Sequence, residues 1–170
     1  YELVTRLAQT PQLAAGEGER LGAVTFEEML AEGDPDFAWE IPDDEWQALA
    51  LNYTSGTSGR PKGVVYHHRG SYLMTMGTVI AWGLPNHPTY FYTVPMFHCN
   101  GWGHAWTMTA LAATVVCIRA FTPKLFFELA EKHEITHFGG APVILNMLAN
   151  APADDQKVFE NRVYAMTAGA

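Results

Sequence analysis

The segment from Tyr53 to Val65 combines residue types that are suited to holding a polyphosphate. It reads YTSGTSGRPKGVV, with three glycines, four hydroxyl side chains of serine and threonine, and a single lysine, Lys62. Glycine lets the backbone come close to an anion, hydroxyl groups donate hydrogen bonds to its oxygens, and the lysine offsets its charge. A Gly/Ser-rich turn that merely joins two strands is the alternative that composition leaves open.

The spacing in this segment differs from that of a P-loop. A P-loop has glycine before its lysine and serine or threonine after it, whereas Lys62 stands between Pro61 and Gly63. Pro61 also biases Arg60 toward an extended conformation, so the segment is not expected to run directly into a helix. We therefore expect a flexible phosphate loop, residues 53–64, between two strands.

Helix and strand patterns alternate after residue 48. Strands are predicted over 49–53, 63–66, 89–94, 114–118, 135–138 and 162–167, and helices over 71–82, 101–111, 123–133 and 142–148. The alternation predicts an α/β fold with a mostly parallel sheet layered with helices. Before it, Thr25 predicts the start of a capped helix that Gly33 ends, followed by an acidic surface connection.

Candidate ligand-binding residues follow the ends of three predicted strands. His98 follows the third strand, Gly140 and Ala141 follow the fifth, and Gly169 and Ala170 follow the sixth. In open α/β sheets, ligands bind beyond the carboxyl ends of the strands, so these residues are expected to meet in one crevice. Gly169 and Ala170 are small enough to leave a slot for a flat base such as adenine.

Three motifs, in the same order along the chain, resemble those of the adenylate-forming superfamily, which includes acyl-CoA synthetases, peptide-synthetase adenylation domains and luciferases. They are the phosphate loop, PMFHCNGW at 95–102 and TAGA at 167–170. VVYHHRG at 64–70 and GGAP at 139–142 further resemble the acyl-CoA synthetases that act on medium-chain fatty or related acids. The resemblance covers most of the chain from about Trp39 onward.

The resemblance implies a two-step reaction. A carboxylic acid attacks the α-phosphorus of ATP to give an acyl-adenylate and pyrophosphate, and coenzyme A then forms the thioester and releases AMP. Mg²⁺ would bridge phosphate oxygens, but the family's protein ligand for it lies outside this sequence, so no metal-ligating residue is predicted here.

The positions that match the family's motifs imply specific roles. Lys62 and His98 are expected to be catalytic, with His98 between the acid and the α-phosphate. The phosphate-binding residues implied are Thr54, Ser55, Gly56, Thr57, Ser58, Gly59 and Lys62; the adenine-binding residues are Gly169 and Ala170; and the acid pocket comprises His98, Trp102, Gly140 and Ala141.

The resemblance also bears on domain organisation. Family members have a large N-terminal domain and a small, mobile C-terminal domain, and later family motifs are absent from these 170 residues. We expect a partial N-terminal AMP-binding domain, with residues 1–48 peripheral, 49–170 forming the α/β core, and little turnover by this chain alone. The incomplete sheet would leave an exposed edge that favours self-association.

Composition predicts a soluble, cytoplasmic protein. The net charge of −8 without a basic run argues against nucleic-acid binding. Two cysteines form no disulfide framework, which is typical of a reducing compartment. No apolar stretch approaches the length of a membrane span.

Other interpretations of the same residues stay open. His98, Cys99 and His104 carry metal-ligating side chains, although their spacing matches no common zinc pattern. A different phosphate-transferring enzyme, such as a kinase, would cleave ATP between the β and γ phosphates. A non-enzymatic module that assembles with a partner is the third possibility.

Overall fold

A parallel five-stranded sheet lies at the centre of the computed structural model, which describes residues 5–7, 23–54 and 59–168. The strands are β1 (Thr5–Leu7), β2 (Ala48–Thr54), β3 (Lys62–His67), β4 (Thr89–Tyr92), β5 (Thr114–Cys117), β6 (His137–Gly140) and β7 (Tyr164–Thr167). The helices are α1 (Phe26–Ala31), α2 (His68–Trp82), α3 (Cys99–Trp102), α4 (His104–Ala110), α5 (Pro123–Lys132) and α6 (Pro142–Ala149).

The central sheet has the strand order β1-β5-β4-β6-β7, and each neighbouring pair is parallel. Tyr90 lies opposite Val115 on one side and His137 on the other. Because parallel strands run in one direction, the carboxyl ends of β4, β6 and β7 lie along one edge of the sheet. The predicted α/β class with a mostly parallel sheet is therefore confirmed.

Each face of the sheet is covered by a separate apolar core. Successive strand residues point to opposite faces, so Tyr90 and Phe91 in β4 enter different cores. Tyr90 packs with Met108 of α4, and Phe91 packs with Phe126 of α5. Helices α2 and α4 thus cover one face, while α5 and α6 cover the other.

The phosphate loop connects β2 and β3, which form a separate antiparallel hairpin. Thr54 lies opposite Lys62, and Tyr53 lies opposite Gly63. Most side chains of the hairpin are exposed. The two strands predicted on either side of the loop are confirmed, although they form a sheet of their own and include residues 53–54 and 62–64 of the predicted loop.

Several local signals were confirmed. Thr25 and Glu28 form a reciprocal capping box at α1, and Thr122 caps α5 with Pro123 at its first position. Gly83 ends α2 in the left-handed conformation, where glycine carries no steric penalty. Within the described ranges, no helix has the length and apolar character needed to cross a membrane.

Five predictions of element bounds were wrong by two residues or more. Helix α2 begins at His68 instead of residue 71, and β4 ends at Tyr92 instead of residue 94. The helix predicted over 101–111 is divided at Gly103 (φ 69°) into α3 and α4. The strand predicted over 135–138 begins two residues later, at His137, where it pairs with Tyr90. The last strand begins at Tyr164 instead of residue 162.

One strand was not predicted. Strand β1, within the segment expected to be peripheral, pairs with β5 at the edge of the central sheet.

Candidate active site

A cavity of about 410 Å³ lies at the carboxyl ends of β4, β6 and β7. We call it the strand-end cavity. It is lined by Thr93, Val94, Pro95, His98, Trp102, Ala141, Val143, Ile144 and Ala168. Three residues predicted from two separate motifs, His98, Trp102 and Ala141, thus share one cavity. The predicted crevice exists, while the roles assigned to these residues stay predictions.

Gly140, a further predicted residue of this region, lies beside the cavity. Gly140 precedes Ala141, and a Cβ atom added to it would lie 3.1 Å from the Cβ of Ile144, so its lack of a side chain lets α6 pack closely. Gly169 and Ala170 lie outside the described residues. Their neighbour Ala168 does line the cavity.

The segment between His98 and α4 has an unusual backbone. Residues 99–103, which comprise α3 and Gly103, all have positive φ, with values of 47°, 46°, 60°, 58° and 69°, and we call this segment the left-handed turn. Cys99 and Trp102 are not glycine, and a left-handed conformation costs such residues roughly 1–2 kcal/mol each. Non-glycine residues in this conformation concentrate at functional sites, where surrounding contacts hold them.

Side chains from neighbouring strands hold the left-handed turn. The Tyr92 hydroxyl donates to the carbonyl of Gly101 over 3.1 Å. Burial raises the pKa of Tyr66 in β3, and the nearby Cys99 raises it further. The turn is therefore held by the central sheet and lies close to the hairpin.

Two histidines near the cavity have opposite environments. His98 is exposed and makes no capping hydrogen bond with its side chain at the start of α3. His104 is 1% exposed, and its Nδ1 lies 2.5 Å from the Tyr90 hydroxyl. Burial lowers the pKa of His104 to about 4, so it is neutral near pH 7. His98 is thus available to a ligand, whereas His104 belongs to the core.

The contact between Tyr90 and His104 includes the backbone of β6. The N–H of Gly139 donates to the Tyr90 hydroxyl over 3.1 Å. A Cβ atom at Gly139 would lie 2.8 Å from His104 Cε1 and 2.9 Å from Tyr90 Oη. The Thr93 hydroxyl donates to the Gly139 carbonyl. Sequence reasoning missed this cluster, because its members lie far apart in the chain and form no motif.

The metal-binding alternative gains no support from this geometry. No group of three histidine, cysteine, aspartate or glutamate side chains in the described ranges could hold a metal ion. His104 hydrogen-bonds Tyr90, while His98, just before the left-handed turn, and Cys99, its first residue, are exposed.

The structure describes only the two ends of the phosphate loop. Thr54 and Lys62 are opposite one another in the hairpin, and Gly59 has φ 77°, which favours glycine. Ser55, Gly56, Thr57 and Ser58 lie outside the described residues.

A direct contact joins the hairpin to the left-handed turn. Asn52 Nδ2 donates to Asn100 Oδ1 over 2.5 Å, and both side chains are partly buried. The base of the phosphate loop is therefore tied to the segment that bears His98 and Trp102.

Trp102 also borders a second cavity. This cavity, of about 320 Å³, is lined by Val65, Tyr66, His67, Gly70, Ser71, Met74, Cys99 and Trp102. The indole of Trp102 therefore lies between two spaces, one at the strand ends and one against the hairpin and α2.

The fold defines an α/β protein with a cavity at the carboxyl ends of its parallel strands and a hairpin in contact with the same region through Asn52 and Asn100. Residues 5–170 match the family model described as AMP-binding enzyme. The chain belongs to this family, which confirms the family that the motifs predicted.

Curated relatives are named as CoA ligases. The chain is 47% identical over 150 residues to the peroxisomal acetate/butyrate–CoA ligase of Arabidopsis thaliana, covering 88% of this chain and 26% of that protein. It is 44% identical over 159 residues to 2-methylpropanoate–CoA ligase of Humulus lupulus, covering 92% of this chain and 28% of that protein. The chain thus spans about a quarter of the length of the curated relatives it matches.

Solved structures share the fold. The inhibitor-bound N-terminal domain of FACL13 from Mycobacterium tuberculosis matches with a TM-score of 0.75 and 25% identity, over 85% of this chain and 36% of that one. The o-succinylbenzoate CoA synthetase of Bacillus subtilis, solved with an acyl-adenylate intermediate, matches with a TM-score of 0.74 and 21% identity, over 86% of this chain and 38% of that one. At this identity, the second match shows the fold alone.

Proposed function

We propose that this chain forms part of the ATP- and acid-binding domain of an acid–CoA ligase. The enzyme would activate a small carboxylic acid as its acyl-adenylate and then transfer the acyl group to coenzyme A. Membership of the AMP-binding enzyme family and 44–47% identity to proteins named as CoA ligases support this reaction class.

The observation that carries the proposal is the meeting of three motifs at one place. His98, Trp102 and Ala141 line the strand-end cavity, and Ala168 extends that lining to the residue before Gly169. The phosphate loop is tied to the same region through Asn52 and Asn100. A triphosphate held by the loop would therefore lie close to an acid held in the cavity.

In the proposed adenylation step, a carboxylate oxygen forms a bond to the α-phosphorus while the bond from that phosphorus to the bridging oxygen of pyrophosphate breaks. Negative charge develops on the α-phosphate and on the departing pyrophosphate, so positioning and electrostatic stabilisation provide most of the rate enhancement. Lys62 offsets the charge of the β and γ phosphates, and His98 lies between the acid and the α-phosphate.

In the second step, the thiol sulfur of coenzyme A bonds to the activated carbonyl carbon, AMP leaves, and the thiol proton is released. Mg²⁺ would neutralise phosphate charge when bound, but the described residues offer no cluster of metal-ligating side chains. We therefore assign no step to it.

Replacing Lys62 with alanine in the protein made from its complete coding sequence tests the proposal. Acid-dependent exchange of pyrophosphate into ATP is expected to fall by about a hundredfold, since one charge-stabilising group is lost. Thioester formation from preformed acyl-adenylate is expected to change far less, because pyrophosphate is no longer present. Lys132→Ala, at the exposed end of α5, is the matched control.

Equal losses in both half-reactions would contradict the role given to Lys62. Cleavage of ATP between its β and γ phosphates would contradict the ligase itself and favour a different phosphate-transferring enzyme.

The acid is proposed to be short- or medium-chain and aliphatic. The relatives are named for acetate, butyrate and 2-methylpropanoate, whereas the sequence motifs predict a medium-chain acid. Comparing kcat/KM for acetate, butyrate, hexanoate and decanoate distinguishes a short-chain from a medium-chain substrate. Each additional buried methylene contributes about 0.8 kcal/mol where the pocket accommodates it.

A cytoplasmic location and self-association through a sheet edge also stay predictions. The Arabidopsis relative is named as peroxisomal, so fractionation of cells that express the complete protein is the direct measurement of location.

A further inference from the structure

The hairpin and the central sheet are separate sheets that meet at the site. Strands β2 and β3 pair with each other, and neither pairs with the five-stranded sheet. Their relative position therefore depends on side-chain contacts and on α2, which follows β3 directly. One such contact, between Asn52 and Asn100, joins residues 48 positions apart in the chain.

Asn52 lies at the base of the phosphate loop. It is two residues before Thr54 and opposite Val64 in the hairpin, so the β2–β3 ladder connects it rigidly to both ends of the loop. Its amide Nδ2 is 2.5 Å from Asn100 Oδ1, within the partly buried space between the two sheets. A shift of the loop would therefore be transmitted to Asn100.

Asn100 lies within the left-handed turn, between the two predicted acid-site residues. Its backbone has φ 46° and ψ 45°, a conformation that asparagine adopts more readily than most residues. The adjacent carbonyl of Gly101 accepts from Tyr92 of the central sheet. Asn100 is thus held on one side by the sheet and on the other by the hairpin.

We infer that the Asn52–Asn100 hydrogen bond holds the β2–β3 hairpin in register with the left-handed turn, making both asparagines positioning residues for adenylation. This inference rests on the proposed function. The bond would fix the triphosphate relative to the acid beside His98 without touching either one. Breaking it would therefore misalign two bound substrates rather than prevent their binding.

The test measures pyrophosphate–ATP exchange in the protein made from its complete coding sequence. Asn52→Leu removes one amide at nearly constant size. Asn100→Gly removes the other amide while it keeps a backbone that tolerates positive φ. Each variant is expected to lower kcat roughly tenfold or more, because a displacement of about 1 Å from reactive geometry is enough for such a loss. The KM for ATP is expected to stay within about twofold of wild type.

The double variant distinguishes a shared bond from two independent effects. If the asparagines act as one unit, Asn52→Leu combined with Asn100→Gly lowers kcat no further than the more severe single variant. Asn150→Leu is the matched control, because Asn150 Nδ2 donates to Asn146 Oδ1 over 3.0 Å at the exposed carboxyl end of α6, away from the hairpin. Its kcat should remain near that of wild type.

Three kinetic results would overturn the inference. The first is an unchanged kcat in Asn52→Leu, and the second is additive losses in the double variant. The third is a loss confined to the KM for ATP, which would indicate a binding role.

A second measurement does not depend on activity. The Gly101 N–H donates to the His98 carbonyl over 2.8 Å, and the Gly103 N–H donates to the Asn100 carbonyl over 3.1 Å. Asn52→Leu should speed hydrogen exchange at these two amides, with no change in Asn150→Leu. Equal hydrogen-exchange rates at these two amides in Asn52→Leu and Asn150→Leu would overturn the inference. If wild type exchanges no pyrophosphate with any acid while Asn52→Leu still loosens the turn, the proposed function fails and the structural link stands.

Discussion

The central sheet and the phosphate-loop hairpin differ in how far their side chains are buried. Residues of β4 and β6 are almost entirely buried, with Phe91 at 0% exposure, whereas Tyr53 in the hairpin is 70% exposed. The sheet derives its stability from apolar cores on both faces. The hairpin depends mainly on its own hydrogen-bond ladder and on a few side-chain contacts.

This difference matches two different tasks. His98, Ala141 and Ala168 follow the carboxyl ends of β4, β6 and β7 and line the cavity. A loop that grips a triphosphate and releases pyrophosphate needs freedom, and elements that move are drawn from the less buried parts of a structure. The molecule combines a cavity at the strand ends with a largely exposed hairpin, and the Asn52–Asn100 bond joins them.

The largest expected effect on the free energy of unfolding distinguishes an apolar residue of the central sheet from one of the hairpin. Phe91→Ala should lower the free energy of unfolding by about 3–5 kcal/mol, because it opens a cavity in a filled core. Leu51→Ala, at 57% exposure in β2, should lower it by less than about 1 kcal/mol. Urea unfolding measures both variants. Similar losses would show that the hairpin contributes to the folded core as much as the sheet does.

Acid should weaken the central sheet through His104. Its folded pKa of about 4 lies below the ordinary 6.5, so the unfolded chain binds a proton at higher pH than the folded one. The His104 contribution is fully present above about pH 6.5 and is lost as pH falls through about 4, by about 3 kcal/mol in total.

Unfolding free energies measured across this pH range check the effect in wild type and in His104→Asn. Asparagine keeps an acceptor for Tyr90 but takes up no proton, so its curve should be flatter. Burial also lowers the pKa of His137, which adds a loss of the same sign to both proteins. Parallel curves would exclude His104 as the source.

Gly139→Ala should destabilise the protein by about 2 kcal/mol, since the added methyl group would overlap His104 and Tyr90. Gly77→Ala in α2 is the matched control, because a Cβ atom there meets nothing within 4 Å. This control should be neutral or stabilising by up to about 1 kcal/mol. Thermal unfolding of both variants decides whether the ring cluster is as closely packed as the structure indicates.

The smallest effect concerns α2, which connects the hairpin to the body of the molecule. The Thr75 hydroxyl is buried and has no hydrogen-bond partner among the described residues. Thr75→Val should therefore be neutral or stabilising by up to about 1 kcal/mol. Thr107→Val should destabilise by about 1 kcal/mol, because the Thr107 hydroxyl donates to the Gly103 carbonyl over 3.2 Å. If both variants lower the free energy of unfolding, the Thr75 hydroxyl has a hydrogen-bond partner.

The sequence predicted helix ends correctly where capping residues determine them. Thr122 and Pro123 start α5, and Gly83 ends α2, because caps act through neighbouring backbone groups. It failed where distant contacts compete with the local pattern. Residues 101–111 have a helical composition, yet the chain makes a left-handed turn through Gly103 before α4 begins. Strand β6 begins at His137 because its pairing with Tyr90 fixes the register.

The sequence likewise predicted only part of the candidate site. Motifs at 95–102 and 139–142 supplied His98, Trp102 and Ala141, and these residues share the strand-end cavity. No local pattern marks Asn52, Tyr90 or His104, whose partners are 48, 49 and 14 residues away. Such pairs depend on how two sheets and a turn are arranged in space.

The sequence by itself determined the family, the α/β class and the residue types available for phosphate and acid binding, because these follow from motif order and from the spacing of apolar residues. Only the tertiary structure decided which side chains are exposed to a ligand and which are buried. His98 and His104 are six positions apart in the chain, yet one lies open at a cavity and the other is enclosed beside Tyr90. Burial and hydrogen-bond partners are set by the packing of distant segments, and they determine what the same side chain can do.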